Sequence, residues 1–313
     1  MARSAGFDKG GSWIDESCAL LRWPGPAVLA LGAGATIAGA YGHVGGDGDT
    51  QQKRKNNYVI AAWLGVDQEV PPPTGTNSDA EGKFRAALQR RGGNWVGTGT
   101  LTFGGLTGPA TAAHIHMGTV GNAGPVQVPL CGAGTPQGCT DGVRTPLNLT
   151  NAQLNRIKAG QYYVNVHTAQ NPPGEIRGQL GVMYRLNANL NVRQERPRPT
   201  NTRRGASGRL TGYLIKYGNR AHIDTTLTYR RLRGNATAAH IHFGRRGRAG
   251  RVLEALCGTQ GTPQCKSGVQ TMDDVNAATL RNLLRGLTYV NVHTAQNPPG
   301  EIRGQINARH GQR

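Results

Sequence analysis

The stretch YVNVHTAQNPPGEIRGQ occupies residues 163–179, and the same seventeen residues recur unchanged at 289–305. The offset of 126 positions also relates ATAAHIH at 110–116 to ATAAHIH at 236–242, without any insertion or deletion. Self-similarity at a fixed spacing indicates that the chain builds one structural unit twice. The repeat therefore determines how the rest of the sequence is divided.

We assign residues 57–182 to repeat 1 and residues 183–308 to repeat 2, and we regard residues 309–313 as a tail. Each repeat is long enough to bury a hydrophobic core of its own. Residues 179–182 lead directly from the end of repeat 1 into the first strand predicted for repeat 2. We therefore expect two domains that touch.

Short apolar and β-branched runs, separated by clusters of Gly, Pro and Asn, dominate both repeats. In repeat 1 these runs occupy residues 58–66, 83–88, 97–103, 110–117, 125–130, 162–168 and 175–180. Such a pattern is typical of an antiparallel sandwich or barrel. A helix is predicted at 150–160, beginning with Thr150 and ending at Gly160, and another at 275–286. The sequence thus predicts a mainly β fold, with two tandem antiparallel β-sandwich domains and one short helix in each.

Residues 1–40 have the features of a signal peptide or an N-terminal anchor. An apolar run at 24–40 follows Arg22 and ends in small residues, the pattern of a signal peptidase site. Three acidic residues near the N-terminus do not suit a leader, so the true start and the choice between cleavage and anchoring stay open. Residues 41–56 are polar and Gly-rich, which favours a flexible linker. We expect a secreted or cell-envelope protein that contacts a membrane only through an uncleaved N-terminal segment.

Four of the five cysteines form two pairs at equivalent positions, Cys131 with Cys139 and Cys257 with Cys265. The enclosed segments are rich in Gly, Pro and Thr, which suits a loop closed by a local disulfide. The alternative is a metal site, but the spacing of seven intervening residues matches no common zinc motif. We predict two disulfides, which agrees with an extracytoplasmic location and leaves Cys18 without a partner.

Positive charge is concentrated in repeat 2. The chain has a net charge of +19, and repeat 1 contributes 8 basic against 6 acidic residues, whereas repeat 2 contributes 20 against 6. A field of this sign attracts acidic polysaccharide or another envelope polyanion. Aromatic residues are few and no nucleic-acid motif accompanies the charge, so we expect no specific nucleic-acid binding. The predicted polyanion-binding residues are Arg230, Arg231, Arg233, Arg245, Arg246 and Arg248.

Six of the nine histidines form two trios that are related by the repeat. In AHIHM, strand alternation places His114 and His116 on the face opposite the apolar residues, and in YVNVHT it does the same for His167. If the apolar residues face the core, all three histidines share one side of the sheet. Such a trio can ligate copper or zinc, and histidines held only by structural hydrogen bonds are the alternative. The counterparts in repeat 2 are His240, His242 and His293.

The rest of the repeated passage divides between architecture and site. The NPPG sequence at 171–174 predicts a turn, because Pro restricts φ and Gly permits a positive φ. Glu175 could orient a histidine by accepting its second N–H, or could pair with Arg177 on the same strand face. We favour structural roles for both, with Asn165 as a further polar neighbour of the histidines. The counterparts in repeat 2 are Asn291, Glu301 and Arg303.

AHIHMGTVGNAGPV (113–126) and YYVNVHTAQNPPGEIRGQL (162–180), with their counterparts at 239–252 and 289–306, resemble the CHRD domain, which was first defined in chordin. The resemblance covers both repeats, although repeat 2 departs at Arg251, where repeat 1 has Pro125. It implies an extracellular β-sandwich module, immunoglobulin-like or superoxide-dismutase-like, as found in bacterial secreted proteins and of largely undefined activity. Chordin's antagonism of bone morphogenetic proteins is not implied, because this chain lacks the cysteine-rich modules of chordin.

Two functions are consistent with these features. The sequence has no nucleophile elbow or phosphate-binding loop, so we expect a non-enzymatic binding or matrix module with a metal in each domain and polyanion affinity in domain 2. The alternative is a copper-dependent redox enzyme, because the H-x-H motif, third histidine and short disulfide are similar to copper-zinc superoxide dismutase. The chain lacks that family's zinc-bridging histidine and aspartate. The sequence does not identify a protein partner.

Overall fold

A computed structural model describes residues 57–311 of the chain. The predicted leader or anchor at 1–40, the linker at 41–56 and Cys18 lie outside this range. Within residues 57–311, the structure contains no helix with the length and apolar character that a membrane span needs.

Repeat 1 folds into two antiparallel sheets that enclose a hydrophobic core. One sheet has the strand order β1-β2-β3-β6, and the other has the order β5-β4-β7-β8; the two join at one edge, where Gly65 of β1 lies opposite Arg177 of β8. The predicted β-sandwich is confirmed. The elements are β1 (Asn57–Gly65), β2 (Glu81–Arg91), β3 (Asn94–Gly104), β4 (Ala110–Met117), β5 (Val126–Gly132), β6 (Val143–Leu149), α1 (Asn151–Lys158), β7 (Tyr162–Thr168) and β8 (Ile176–Gln179).

Repeat 2 has the same organisation, with sheets β9-β10-β11-β14 and β13-β12-β15-β16. A further strand, β17, extends the first of these sheets by pairing with β9. Each repeat has its own cluster of buried apolar side chains. The elements are β9 (Gly181–Asn191), β10 (Ser207–Tyr217), β11 (Arg220–Arg230), β12 (Ala236–Phe243), β13 (Val252–Cys257), β14 (Val269–Val275), α2 (Ala277–Leu284), β15 (Thr288–Thr294), β16 (Asn297–Gln305) and β17 (Asn307–His310).

Local sequence signals identified the helices and the disulfides correctly. The Thr150 side chain accepts from the Gln153 backbone N–H, and the Gln153 side chain accepts from the Thr150 N–H, which forms a capping box at α1. The Asn276 side chain caps α2 by accepting from the Ala278 and Thr279 N–H groups, without a reciprocal side-chain bond. Disulfides join Cys131 to Cys139 and Cys257 to Cys265.

Strand β6 is not among the runs predicted from the sequence, and it contains Pro146, a residue that disfavours strands. Its residues alternate strictly between buried and exposed, and Pro146 is among the exposed ones. Strand β6 pairs only with β3 in the described part of the chain, so it is an edge strand, where proline is tolerated.

The two repeats share one strand, β9, as well as touching. Its first residues, Gly181 and Val182, end repeat 1 and pair with Ala61 and Ile60 of β1, and Val182 also lies opposite Lys216 of β10 in repeat 2. A third apolar cluster, which we call the inter-repeat cluster, contains Val59, Ala61, Met183, Ile215 and Tyr217. The predicted tail is not separate from the sheet either, since residues 309 and 310 belong to β17.

Candidate metal centres

The histidines of each trio converge on the sheet formed by β4 and β7, or by β12 and β15. Along β4, His114 and His116 alternate with the core residues Ala113 and Ile115. His114 lies directly opposite Asn165 of β7. His167 is two residues further along β7, so it is the diagonal neighbour of His114 on the same face. The possible ligand nitrogens within each trio all lie within 4.8 Å of one another. We call His114, His116 and His167 triad 1, and His240, His242 and His293 triad 2.

Backbone carbonyl groups determine the tautomer of two imidazoles in triad 1. His116 Nδ1 lies 2.9 Å from the Gly124 oxygen, and His167 Nδ1 lies 2.9 Å from the Pro172 oxygen. Because a carbonyl oxygen only accepts, both Nδ1 atoms carry the proton and both Nε2 atoms present a lone pair. His167 Nε2 is 3.2 Å from His114 Nδ1. If His114 carries its proton on Nε2, each of the three histidines presents one unprotonated nitrogen to the others. The carbonyl contacts are of the kind that orient metal-bound histidines.

Triad 2 reproduces this arrangement. His242 Nδ1 lies 2.9 Å from the Gly250 oxygen, and His293 Nδ1 lies 2.7 Å from the Pro298 oxygen. His293 Nε2 is 3.1 Å from His240 Nδ1. The same hydrogen-bond geometry has therefore been built twice from separate segments.

One atom in each triad is buried without a hydrogen-bond partner. This atom is Nε2 of His116 in triad 1 and Nε2 of His242 in triad 2. A buried polar atom left unpaired costs about 1–3 kcal/mol, so native structures rarely retain one without a reason. A metal ion among the three nitrogens would satisfy this lone pair, and the donor set of imidazoles suits copper or zinc.

The triads are held in the neutral form that a metal requires. Burial, followed by the proximity of the other two histidines, lowers the pKa of His114 to about 4. The same causes lower the pKa of His240 to about 4. Burial also lowers the pKa of His116, His167, His242 and His293. Neutral imidazoles are ligands, whereas protonated ones are not.

A stacked column backs each triad. The ring of Tyr163 stacks on His116, with the ring centroids 5.0 Å apart. The Arg177 guanidinium also contacts this tyrosine, 3.6 Å from its ring centroid. Arg177 Nη2 donates to the Thr119 and Asn122 oxygens, 2.9 and 3.0 Å away. Arg177 therefore anchors the loop whose Gly124 carbonyl orients His116. Repeat 2 has the same column, formed by His242, Tyr289 and Arg303.

Glu175 neither orients a histidine nor pairs with Arg177. Its carboxylate accepts from the Thr107 N–H at 2.7 Å and from the Thr168 hydroxyl at 2.6 Å. Burial alone would raise the pKa of Glu175, but these hydrogen bonds hold it below its ordinary value. Strand β8 begins only at residue 176, so Glu175 lies in the preceding turn and does not share the strand face of Arg177. In repeat 2, Glu301 likewise accepts from the Arg233 N–H and the Thr294 hydroxyl.

The glutamate that faces the Arg177 side is Glu69, which the sequence reasoning did not select. Asn165 Nδ2 donates to Glu69 Oε1 at 3.4 Å and to the Pro173 oxygen at 3.3 Å. Burial raises the pKa of Glu69 to about 7, although Arg177 and the hydrogen bonds oppose the increase. Glu195 is its counterpart in repeat 2, and burial likewise raises its pKa to about 7. The available signal was the Gln-Glu pair that recurs at 68–69 and 194–195.

The predicted polyanion-binding arginines fall into two groups. Arg230, Arg231 and Arg233 precede β12, and Arg245, Arg246 and Arg248 follow it. An eight-residue strand separates the groups by about 23 Å at roughly 3.3 Å per residue.

The turn at Arg251, where repeat 1 has Pro125, is unchanged between the repeats. Met117 N donates to the Pro125 oxygen and Phe243 N donates to the Arg251 oxygen, both at 2.9 Å.

Fold and site together define a disulfide-containing β-sandwich module that is built twice, with a three-histidine cluster in each copy. The family model of the CHRD domain matches residues 60–180 and 186–306. The chain belongs to the CHRD domain family. CHRD domains are extracellular, and the two disulfides fit a secreted protein. Neither the curated proteins nor the solved structures include a match to this chain.

Proposed function

We propose that this protein is an extracellular, non-enzymatic module that holds one copper or zinc ion in each repeat. The observation that carries the proposal is the buried Nε2 atom of His116, which lacks a partner and lies in triad 1. Its recurrence at His242 in triad 2 supports it. The carbonyl groups that receive the Nδ1 protons leave the opposite nitrogens available for a metal, at no further cost in ordering the side chains.

Metal analysis of protein purified without a histidine tag tests this proposal. We expect two metal ions per chain, falling to one in His116→Ala or His242→Ala and to none in the double variant. His222→Ala is the matched control, because His222 is half-buried and bonded to Asp274, outside both triads. Circular dichroism checks that each variant folds, and His114→Ala, at a half-buried position, replaces any variant that does not. Substoichiometric copper and zinc, unchanged by these substitutions, would refute the proposal.

A second candidate, copper-dependent redox chemistry of the superoxide dismutase type, is favoured by the number of ligands. Each cluster in the described residues has three histidines, and a three-ligand site keeps a position open for substrate. A superoxide assay on copper-loaded protein distinguishes the candidates. Turnover that disappears in His116→Ala with His242→Ala would favour the enzyme, whereas stoichiometric copper without turnover would favour the binding module.

A further inference from the structure

The positive charge of repeat 2 lines a groove at one end of its sandwich. Two hollows of about 430 Å³ and about 380 Å³ adjoin, because Tyr229, Arg230 and Ser267 line both. These volumes lie in the range of about 300–1,000 Å³ that is usual for ligand sites. Five exposed cations line what we call the basic groove, and no described residue lining it is acidic. The cations are Arg203, Arg209, Arg230, Arg231 and Lys266.

Repeat 1 has the same backbone at this place with a different charge. The counterparts of the five cations, 126 positions earlier, are Asn77, Lys83, Gly104, Gly105 and Thr140. Two serines of the groove, Ser207 and Ser267, correspond to Glu81 and Asp141. At these seven positions, repeat 1 therefore has one cation and two acids, whereas repeat 2 has five cations and no acid. Composition alone does not explain this concentration, because repeat 2 retains six acidic residues elsewhere.

At one of these positions, the hydrogen bond to the backbone is the same in both repeats although the charge differs. In repeat 1, Asp141 Oδ1 accepts from the Phe103 N–H at 2.9 Å. In repeat 2, Ser267 Oγ accepts from the equivalent Tyr229 N–H, also at 2.9 Å. The fold needs an acceptor at this position and not a carboxylate, so the charge of the groove varies independently of the fold.

The backbone of Arg231 indicates that its cation serves something other than folding. Arg231 has φ 57°, and within residues 57–311 it is the only residue besides glycines with a positive φ. Its counterpart, Gly105, has φ 71° and adopts this left-handed conformation without steric cost. Residues held against their backbone preference concentrate at functional sites.

We propose that the basic groove of repeat 2 binds a linear acidic polysaccharide, with the guanidinium groups of Arg230 and Arg231 pairing with its carboxylate or sulfate groups. A planar guanidinium matches such anions with two parallel hydrogen bonds. The five cations line two adjoining hollows, which suits an extended chain that can contact both. Its single aromatic side chain, the half-buried Tyr229, offers little of the stacking surface that single-stranded nucleic acid uses. The proposal does not depend on metal in the triads.

Calorimetric titration of the full protein with polygalacturonate and with dextran sulfate tests the proposal. The test variant places the repeat 1 residues in repeat 2, as Arg230→Gly, Arg231→Gly and Lys266→Thr. We expect affinity to fall about 10- to 100-fold, since each exposed ion pair is worth about a two- to five-fold change. The matched control, Arg245→Ala, Arg246→Ala and Arg248→Ala, removes the same charge at the far end of β12. It should change affinity less than about three-fold.

A second readout distinguishes binding from folding. Arg231→Gly alone should weaken polysaccharide binding by about two- to five-fold and raise the melting temperature by about 2–4 °C, because glycine relieves the left-handed backbone. Equal losses of affinity in the test and control variants would overturn the proposal that the groove is the binding site, and would leave only general charge attraction. Tighter, groove-dependent binding of single-stranded DNA or of anionic phosphatidylserine vesicles would overturn the assignment to polysaccharide. Weakened polysaccharide binding without loss of metal from the triads would support the proposal.

Discussion

At the scale of single residues, Glu69 and Asn165 form an incomplete hydrogen-bonded pair. Glu69 Oε2 and Asn165 Oδ1 are both buried without a partner, and each lies 2.5 Å from the position that a Cβ on Gly174 would take. A proton on Oε2 supplies the missing donor, since the acid can then donate to Asn165 Oδ1 while Asn165 Nδ2 donates to Oε1. Glu195 Oε2 and Asn291 Oδ1 are unpartnered in the same way in repeat 2.

Substituting these acids should change how stability depends on pH. The pKa of Glu69 and Glu195 is about 7 in the folded protein, against the ordinary value of 4.5. Because folding raises this pKa, the stability that the bound proton confers is complete below pH 4.5 and is lost as the pH rises through 7. In Glu69→Gln with Glu195→Gln, an amide N–H replaces the acid proton at every pH. Relative to the variant, the wild type should therefore lose roughly 1–3 kcal/mol per site between pH 5 and pH 8.

Urea unfolding at pH 5 and pH 8 measures this difference. The lowered pKa values of the histidines act in the opposite direction, since their contribution is lost as the pH falls below the ordinary 6.5. They are present in both proteins and cancel in the comparison. A wild-type-minus-variant difference that is the same at both pH values would show that Glu69 and Glu195 are ionised throughout.

At the scale of elements, the helices are the parts that local chemistry specifies most completely. Helix α1 buries only Leu154 and Ile157, so its capping box contributes much of the information that determines where the helix begins. Thr150→Ala should lower the free energy of unfolding by about 1 kcal/mol. Chemical denaturation measures this, and Thr150→Ser, which keeps the acceptor oxygen, should be near neutral. Equal losses in the alanine and serine variants would mean that the threonine methyl, and not its cap, stabilises the helix.

The strands were predictable where each alternation was clear and the turn residues local. Strands β4 and β7 coincide with their predicted ranges because each is bounded by Gly, Pro or Asn. Strand β6 was missed because a strand tolerates a proline such as Pro146 at the edge of a sheet, and which strand lies at the edge is decided only in the assembled sheet. Local sequence indicates that a segment is extended, but not which neighbour it will have.

At the scale of the whole molecule, β1 connects the two repeats. It buries Ile60, Ala62 and Leu64 in the core of repeat 1 and places Val59 and Ala61 in the inter-repeat cluster. A strand buried on both faces reads as a continuous apolar run, and VIAAWL at 59–64 is such a run. This was the sequence signal for an interface beyond simple contact.

A chain limited to residues 57–182 should therefore be less stable than repeat 1 in the full protein. Exposing Val59 and Ala61 removes burial worth roughly 2–4 kcal/mol. It also leaves Val182 without its partner Lys216 in β10, and a newly exposed strand edge favours self-association. Thermal unfolding and sedimentation velocity measure the two effects. Val59→Lys in the short chain should reduce association without restoring stability, and a short chain as stable and monomeric as the full protein would contradict the expectation.

The sequence by itself determined the tandem repeat, the β-rich class, both helices with the Thr150 cap of the first, both disulfides and the common face of each histidine trio. These follow from periodicity and short-range chemistry, which the chain carries along a few residues. Only the tertiary structure decided that Gly124 and Pro172 receive the histidine protons, that Glu69 meets Asn165 across 96 positions, and that strand β9 pairs with strands of both repeats. It also separated the two arginine groups and gathered Arg203 and Lys266 into one groove. Such contacts depend on strand order, register and long-range packing, which no local pattern encodes.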